Sequence, residues 1–313
     1  MAEKWSANVS GAARVLILGA GGQLGGELER SFRGFGNVAA AGRETADLGR
    51  GEELRALVQR VEPDFILNAA AYTAVDRAEA EPELAYAINA DAPRVLAEEA
   101  LAHDALLVHY STDYVFDGAK AEPWTETDAP NPLNVYGASK LAGERAIQDA
   151  GARALIFRTS WVYGPKGKNF LLTMLRLAGE RDRLTIVNDQ VGAPTSSMEL
   201  ARATRAILDG IVGGSFGAAS EWTGLYHMSC SGAVTWFGFA QAIFARAGEL
   251  GVKAPELAAI ATEEYPTPAK RPRNSVLSNA KLHERFGVRL APWAAALDEV
   301  LDEVIEALRA GGA

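Results

Sequence analysis

One cysteine, Cys230, stands alone in 313 residues, so no intrachain disulfide can form. That fits a reducing compartment and gives the expectation of a cytoplasmic protein. No apolar run approaches the length of a membrane span, and residues 1–11 lack an apolar core of signal-peptide length. Cations are outnumbered: 31 Lys and Arg face 40 Asp and Glu, a formal net charge of −9. With no basic run, nucleic acid and anionic membrane are set aside as the main partner. Histidine is scarce too. His103, His109, His227 and His283 are scattered without ligand spacing, so no metal centre is expected. The one Gly-x-Ser-x-Gly string, Gly213–Gly217, lies in a Gly/Ser-rich loop and not on a strand-to-helix elbow, which speaks against a serine hydrolase of that fold.

What remains is ordinary globular composition, 48% hydrophobic and 23% charged. The length suits one large domain plus a smaller lobe. The first half alternates short apolar strands (14–18, 37–42, 64–68, 105–110, 154–158) with helical patterns (23–32, 51–61, 84–103, and one around Tyr136). Alternation of this kind implies parallel crossovers, and continuous apolar strands imply a sheet covered on both faces. The expected fold class is α/β, a doubly wound parallel Rossmann sheet with a smaller, mostly C-terminal α+β lobe. The expected division is a dinucleotide domain over 13–164, with segments of about 195–230 returning to it. Residues 165–313 then form mainly a substrate lobe. In that half, helices are expected over 170–180, 198–208, 235–250 and 294–308, short strands over 184–188 and 225–228, and a loop over 213–220. Residues 1–12 read as a short extension.

Gly19-Ala-Gly-Gly22-Gln23-Leu24-Gly25 follows the first strand and opens a helix. Small residues let the backbone approach a pyrophosphate, and the helix N-terminus supplies amide donors. Glycines in a tight turn are the plainer alternative. After the second strand comes Arg43, where an NAD-selective fold usually has an acid. Its charge and fork suit a ribose 2′-phosphate, hence NADPH, although a solvated loop arginine would look the same. Asp47-Leu48 and Ala70-Ala71-Tyr72-Thr73 fall at the carboxyl edge of the sheet, where room for a base and ribose and simple close packing are equally compatible with small residues. Thr112 closes the fourth strand at that edge and could hydrogen-bond a carbonyl, or simply end a turn. Tyr136 and Lys140 are one helical turn apart, on a helix expected to start at Asn131 and Pro132. An ammonium beside a phenol lowers its pKa, so this pair could donate a proton at neutral pH. Asp113 reads as a turn cap.

In this order, glycine loop, strand-end hydroxyl and Tyr-x-x-x-Lys helix resemble the extended short-chain dehydrogenase/reductase family. Within it, Asn68–Asp76, Ser111–Gly118, Arg158–Gly164, Asn188–Thr195 and Arg271–Asn274 are similar to the branch that reduces the C4 ketone of dTDP-4-dehydro-L-rhamnose. The resemblance implies an oxidoreductase using NADPH, or sometimes NADH, on a nucleotide-sugar substrate. It implies Tyr136 as proton donor, Lys140 on the nicotinamide ribose, and Thr112 orienting the carbonyl. Trp161 would pack on the sugar, with Tyr114 lining the same pocket. Arg271, with Lys166, Lys168 and Arg273, would offer cations to a diphosphate. Cofactor contacts are expected at Gly19, Gly22, Gln23, Leu24, Gly25, Arg43, Asp47, Leu48, Ala70, Ala71, Tyr72 and Thr73. Sugar dehydratases of this superfamily usually carry Glu after Thr-Asp. Here Tyr114 stands there, so the site should reduce and not dehydrate. Some relatives bind Mg²⁺ at a dimer interface through glutamates that find no match here, which leaves Mg²⁺ and a homodimer open. The family also includes a non-catalytic regulatory subunit of methionine adenosyltransferase and ketoreductases for other nucleotide sugars, the alternative readings.

Overall fold

A computed structural model describes residues 12–311. The extension at residues 1–12 lies outside the described residues except for Ala12. Five of the sheet strands are β1 (Arg14–Leu18), β2 (Asn37–Ala41), β3 (Phe65–Asn68), β4 (Leu106–Thr112) and β5 (Ala154–Thr159). A sixth, Gly224–His227, arrives late in the chain and pairs with β5. The order is Gly224–His227, β5, β4, β3, β1, β2, with every pairing parallel.

Successive side chains of a strand face opposite sides. Val15 and Ile17 therefore join Phe65, Leu67, Leu106, Val108, Leu155 and Phe157 in one core cluster. Leu16 and Leu18 join Ile66, Leu107 and Ile156 in another. A sheet apolar on both faces needs helices on both. The helix Gln23–Ser31 and the helix Ser197–Val212 supply Leu28, Leu200 and Ile207 to the first face. Gly51–Val61, Ala92–Ala102 and Val135–Asp149 supply Leu54, Val95 and Ile147 to the second. The chain winds one way from β1 to β2 and the other way from β3 to β5. In such a sheet, ligands bind outside the carboxyl ends of the strands where the winding reverses, here beside β1 and β3. A separate cluster of Tyr163, Leu171, Met174, Leu184, Phe239, Ile243, Val300 and Leu301 forms the core of a second lobe.

Two elements differ from expectation near the sheet edge. The single long helix over 84–103 is broken: Pro82–Tyr86, a π-helical turn Ala87–Asp91, then Ala92–Ala102. The wide turn aims the Asn89 side chain inward. Its Oδ1 accepts from the Tyr72 amide (2.9 Å) and its Nδ2 donates to the Tyr72 carbonyl (3.0 Å) and Ser139 Oγ (3.0 Å). The Tyr136 helix also starts later than expected. It spans Val135–Asp149, capped by Asn134, whose Oδ1 accepts from the Gly137 amide at 2.8 Å. Asn131 instead donates to Asp117. Shorter differences occur elsewhere. The helix Trp293–Gly311 begins one residue earlier and ends three later than expected, and a short helix, Ala219–Trp222, follows the Gly-rich turn.

Inside the sheet edge, Glu144 and Arg158 form an ion pair with Nη2–Oε2 at 2.6 Å, both side chains at most 3% exposed. Ser111 donates a further hydrogen bond to Glu144. Removing one charge strands the other in a medium that cannot solvate it. Arg158→Met is expected to lower stability by about 3–5 kcal/mol in urea unfolding, and adding Glu144→Leu to recover much of the loss. Additive losses in the double variant would contradict this.

Candidate active site

The glycine loop is built for close approach. Gly19 adopts φ +82°, a left-handed conformation, and a Cβ there would meet Ala70 N at 2.8 Å. A Cβ on Gly25 would meet the Gly19 carbonyl oxygen at 2.0 Å, so the first turn of the helix packs directly on the loop. A Cβ on Gly21 would meet nothing within 4 Å, so the loop's outer side is open. Gly22 is the N-cap of the helix Gln23–Ser31, and no side chain caps the helix's first-turn amides. An anionic dinucleotide phosphate fits such a turn. Leu24 and Leu48 bury their side chains in the core, which leaves only their backbone for a ligand. Arg43 is exposed just beyond β2. Asp47 accepts from the Gly49 amide at 2.9 Å, which shapes the turn it occupies. Ala71 is half-buried and Thr73 exposed. The Tyr72 hydroxyl donates to Glu81 at 2.6 Å. Gln23 reaches across to the second lobe, where its Oε1 accepts from Asn169 Nδ2 at 2.9 Å.

Thr112, Tyr136 and Lys140 come together beside that loop. Two glycines let the Tyr136 helix press inward: a Cβ on Gly137 would meet the Tyr114 carbonyl oxygen at 2.1 Å, and one on Gly143 the Asn89 carbonyl oxygen at 2.1 Å. Lys140 is 1% exposed. It donates to the Tyr110 carbonyl at 2.7 Å and lies 3.2 Å from His109 Nε2. Burial lowers its pKa to about 8, and the Glu144 carboxylate opposes that fall. Tyr136 differs from expectation. Its phenol is pushed up to about 12, chiefly by burial and further by the Asp113 charge, while a hydrogen bond with Thr112 pulls it down. Lys140 is not among the causes, because its ammonium is turned to the strand carbonyl and the imidazole.

Asp113 is no turn cap. Thr112 caps the turn, its Oγ1 accepting from the Tyr114 amide at 3.2 Å. The Asp113 carboxylate is buried and accepts from Thr112 (3.0 Å) and Ser160 (3.2 Å), with Ser275 a third hydroxyl partner. The one proton of the Thr112 hydroxyl is therefore contested between Asp113 and the Tyr136 oxygen.

Around this centre the aromatic residues are locked. Tyr114 meets Tyr136 edge to face at 5.7 Å. Trp161 holds φ +47°, strained for a residue with a Cβ, and stacks on Trp236 with centroids 3.4 Å apart and planes 6° from parallel. Arg271 pairs with both oxygens of Asp76 at 2.6 Å and hydrogen-bonds Tyr114, so the cation expected to face a diphosphate is engaged by protein groups. Arg273 is exposed and donates to Glu263 at 3.1 Å, while Lys166 and Lys168 are exposed. Sequence reasoning missed Asn89, His109 and Trp236. Asn89 lies inside an unbroken helical pattern and Trp236 is 75 positions from its partner. His109 carried the one available signal, a polar residue inside an apolar strand.

Burial raises the Asp113 pKa from 3.8 to about 6. The native state thus holds a proton that the unfolded chain has released, so this group's contribution to stability is present at pH 4 and is lost as pH rises through 6. The loss is on the order of 3 kcal/mol. Urea unfolding between pH 4 and 7 should show Asp113→Asn with a flatter curve than the parent chain, and parallel curves would contradict the assignment.

The family model described as the RmlD substrate binding domain matches residues 13–306. A dTDP-4-dehydrorhamnose reductase of Burkholderia thailandensis is 48% identical over 285 residues, covering 90% of this chain and 95% of that protein. The dTDP-4-dehydrorhamnose reductase of Escherichia coli K12 is 44% identical, covering 93% and 97%. Among solved structures, dTDP-4-dehydrorhamnose reductase from Bacillus anthracis in complex with NADP superposes with a TM-score of 0.86. It is 34% identical, with 93% of this chain and 99% of that one covered. Matches of this identity and extent place this chain in the RmlD family of dTDP-4-dehydrorhamnose reductases.

Proposed function

We propose that this protein reduces the C4 ketone of dTDP-4-dehydro-L-rhamnose to dTDP-L-rhamnose with NADPH, Tyr136 donating the proton. The observation that carries this reading is the contiguous path from the glycine loop to Lys140, whose helix places the Tyr136 phenol at Thr112. Gly19 packs on Ala70, Ala70 donates to Asn68, Asn68 touches His109, and His109 touches Lys140, one turn from Tyr136. A reduced nicotinamide, when bound, supplies the hydride. Gly19, Gly22, Gln23 and Gly25 would receive its pyrophosphate and Arg43 its 2′-phosphate. The division into a dinucleotide domain (13–164 with about 195–230) and a substrate lobe follows the same reading.

The residues divide the work. A phenol with its pKa near 12 keeps its proton at neutral pH until an oxygen that is gaining negative charge accepts it. The Thr112 hydroxyl orients that oxygen. Lys140 fixes the helix that carries Tyr136 against β4, through the Tyr110 carbonyl and His109. Trp161 and Tyr114 give the sugar apolar walls. Arg271 holds Tyr114 in place and ties the second lobe to Asp76.

Purified protein with NADPH and dTDP-4-dehydrorhamnose should consume nicotinamide absorbance. In Tyr136→Phe the rate should fall by about 10²–10⁴-fold with nucleotide binding kept. Equal rates would remove Tyr136 from the role, and no consumption by the parent chain would remove the activity. Trp236→Ala should raise KM for the sugar nucleotide up to about tenfold, with a smaller effect on kcat, because the Trp161 platform loses its backing. An unchanged KM would mean that Trp161 does not carry the sugar.

A further inference from the structure

His109 is completely buried, in the middle of β4, and belongs to neither core cluster of the sheet. Both ring nitrogens are engaged. Nδ1 lies 3.1 Å from Asn68 Nδ2, and Nε2 lies 3.2 Å from Lys140 Nζ. An ammonium only donates, so a charged Lys140 requires Nε2 as acceptor. The single proton of a neutral ring is then on Nδ1 and must donate to the Asn68 carboxamide oxygen. In the structure that oxygen points the other way and accepts from the Ala70 amide at 3.3 Å, while the carboxamide nitrogen faces the ring. That orientation fits the opposite tautomer, with the proton on Nε2 and a neutral Lys140 amine as acceptor.

Two arrangements therefore satisfy the ring and Lys140, and they differ at the Ala70 amide, which has the Asn68 oxygen as acceptor in only one of them. In one, Lys140 is charged, the ring proton is on Nδ1, and the Asn68 oxygen faces the ring. In the other, Lys140 is neutral, the ring proton is on Nε2, and the Asn68 oxygen faces Ala70. The ring is neutral in both, and they differ by one proton, that on Lys140 Nζ. We infer that His109 is a positioning residue whose neutral ring couples the charge on Lys140 to the orientation of Asn68, and through Asn68 to the Ala70 amide that packs on Gly19. Loss of the lysine proton is thereby transmitted to the edge of the glycine loop.

The groups around the pair are few. From β4, the Tyr110 carbonyl accepts from Nζ. From the lysine's own helix come Glu144, paired with Arg158 of β5 and hydrogen-bonded by Ser111, and Tyr136 one turn earlier. Asp113 lies beyond Tyr136 and acts on the phenol. Among the described residues, the side chains hydrogen-bonded to His109 are those of Lys140 and Asn68. Burial and the neighbouring ammonium both hold the ring neutral, well below its ordinary pKa.

The inference deepens the proposed reading of the same site, and nitrogen NMR of the full-length, ¹⁵N-histidine-labelled protein tests it without turnover. The His109 ring, assigned by difference from His109→Gln, should stay neutral from pH 6 to 9. Its proton should shift from Nδ1 to Nε2 as Lys140 titrates near pH 8. A ring that titrates near pH 6.5, or one that keeps a single tautomer throughout, would overturn the inference. Kinetics give a second reading. His109→Leu deletes an acceptor that favours the ammonium, so the alkaline limb of the kcat profile should move down by about one pH unit. His109→Gln, which keeps an acceptor oxygen, should restore most of that shift. Profiles of both variants that coincide with the parent chain would overturn it, and a failure of the sugar assignment alone would leave the NMR result standing.

Discussion

A lysine ammonium taken wholly out of water is the constraint on which this sheet edge depends. Such a charge is tolerated only where acceptors meet it at hydrogen-bond distance. Here they are a strand carbonyl and an imidazole from β4, with the paired Glu144 carboxylate farther along the same helix. Those partners fix the helix Val135–Asp149 against β4 in one register. The two glycines on its inner face remove the side chains that would hold it away. Tyr136, one turn before the lysine, is thereby brought to Thr112 at the end of the strand.

The rest of the site is held by similarly closed arrangements. Asn89, aimed inward by a π-helical turn, clamps both the Tyr72 backbone and Ser139. π-turns of this kind recur at functional sites because they turn one side chain out of the helical sequence of faces. Trp161 is kept in a left-handed backbone conformation by its stack on Trp236, and a Cβ on Gly192 would strike its ring at 2.4 Å. Strain of this kind persists only where the surroundings over-determine it. The two lobes meet through Gln23 with Asn169 and through Arg271 with Asp76, one contact touching the glycine loop and the other the Tyr114 pocket.

Much of the fold was legible because it rests on local pattern. Continuous apolar strands announced a sheet covered on both faces, and the order of glycine loop, Thr112 and Tyr136 announced the edge where they gather. What was not legible rests on distance or on counting hydrogen bonds. A 20-residue apolar periodicity does not reveal that one turn inside it is widened to place Asn89. The start of the Tyr136 helix slipped from Asn131 to Asn134 because both are good caps, and the choice is made by the Gly137 amide close to Tyr114. The expected fall in the Tyr136 pKa failed because proximity in sequence was taken for electrostatic contact, whereas the ammonium points at β4. Arg271 read as an available cation, yet its bidentate partner Asp76 lies 195 positions away.

The buried ammonium is open to direct measurement. Nitrogen NMR of lysine-labelled protein, with Lys140 assigned by Lys140→Met, would follow its Nζ through a pH titration. The account predicts a midpoint of about 8, displaced downward by burial. A midpoint at the ordinary lysine value of 10.5 would mean that the ammonium is solvated, and would contradict the arrangement from which the rest of the site is derived.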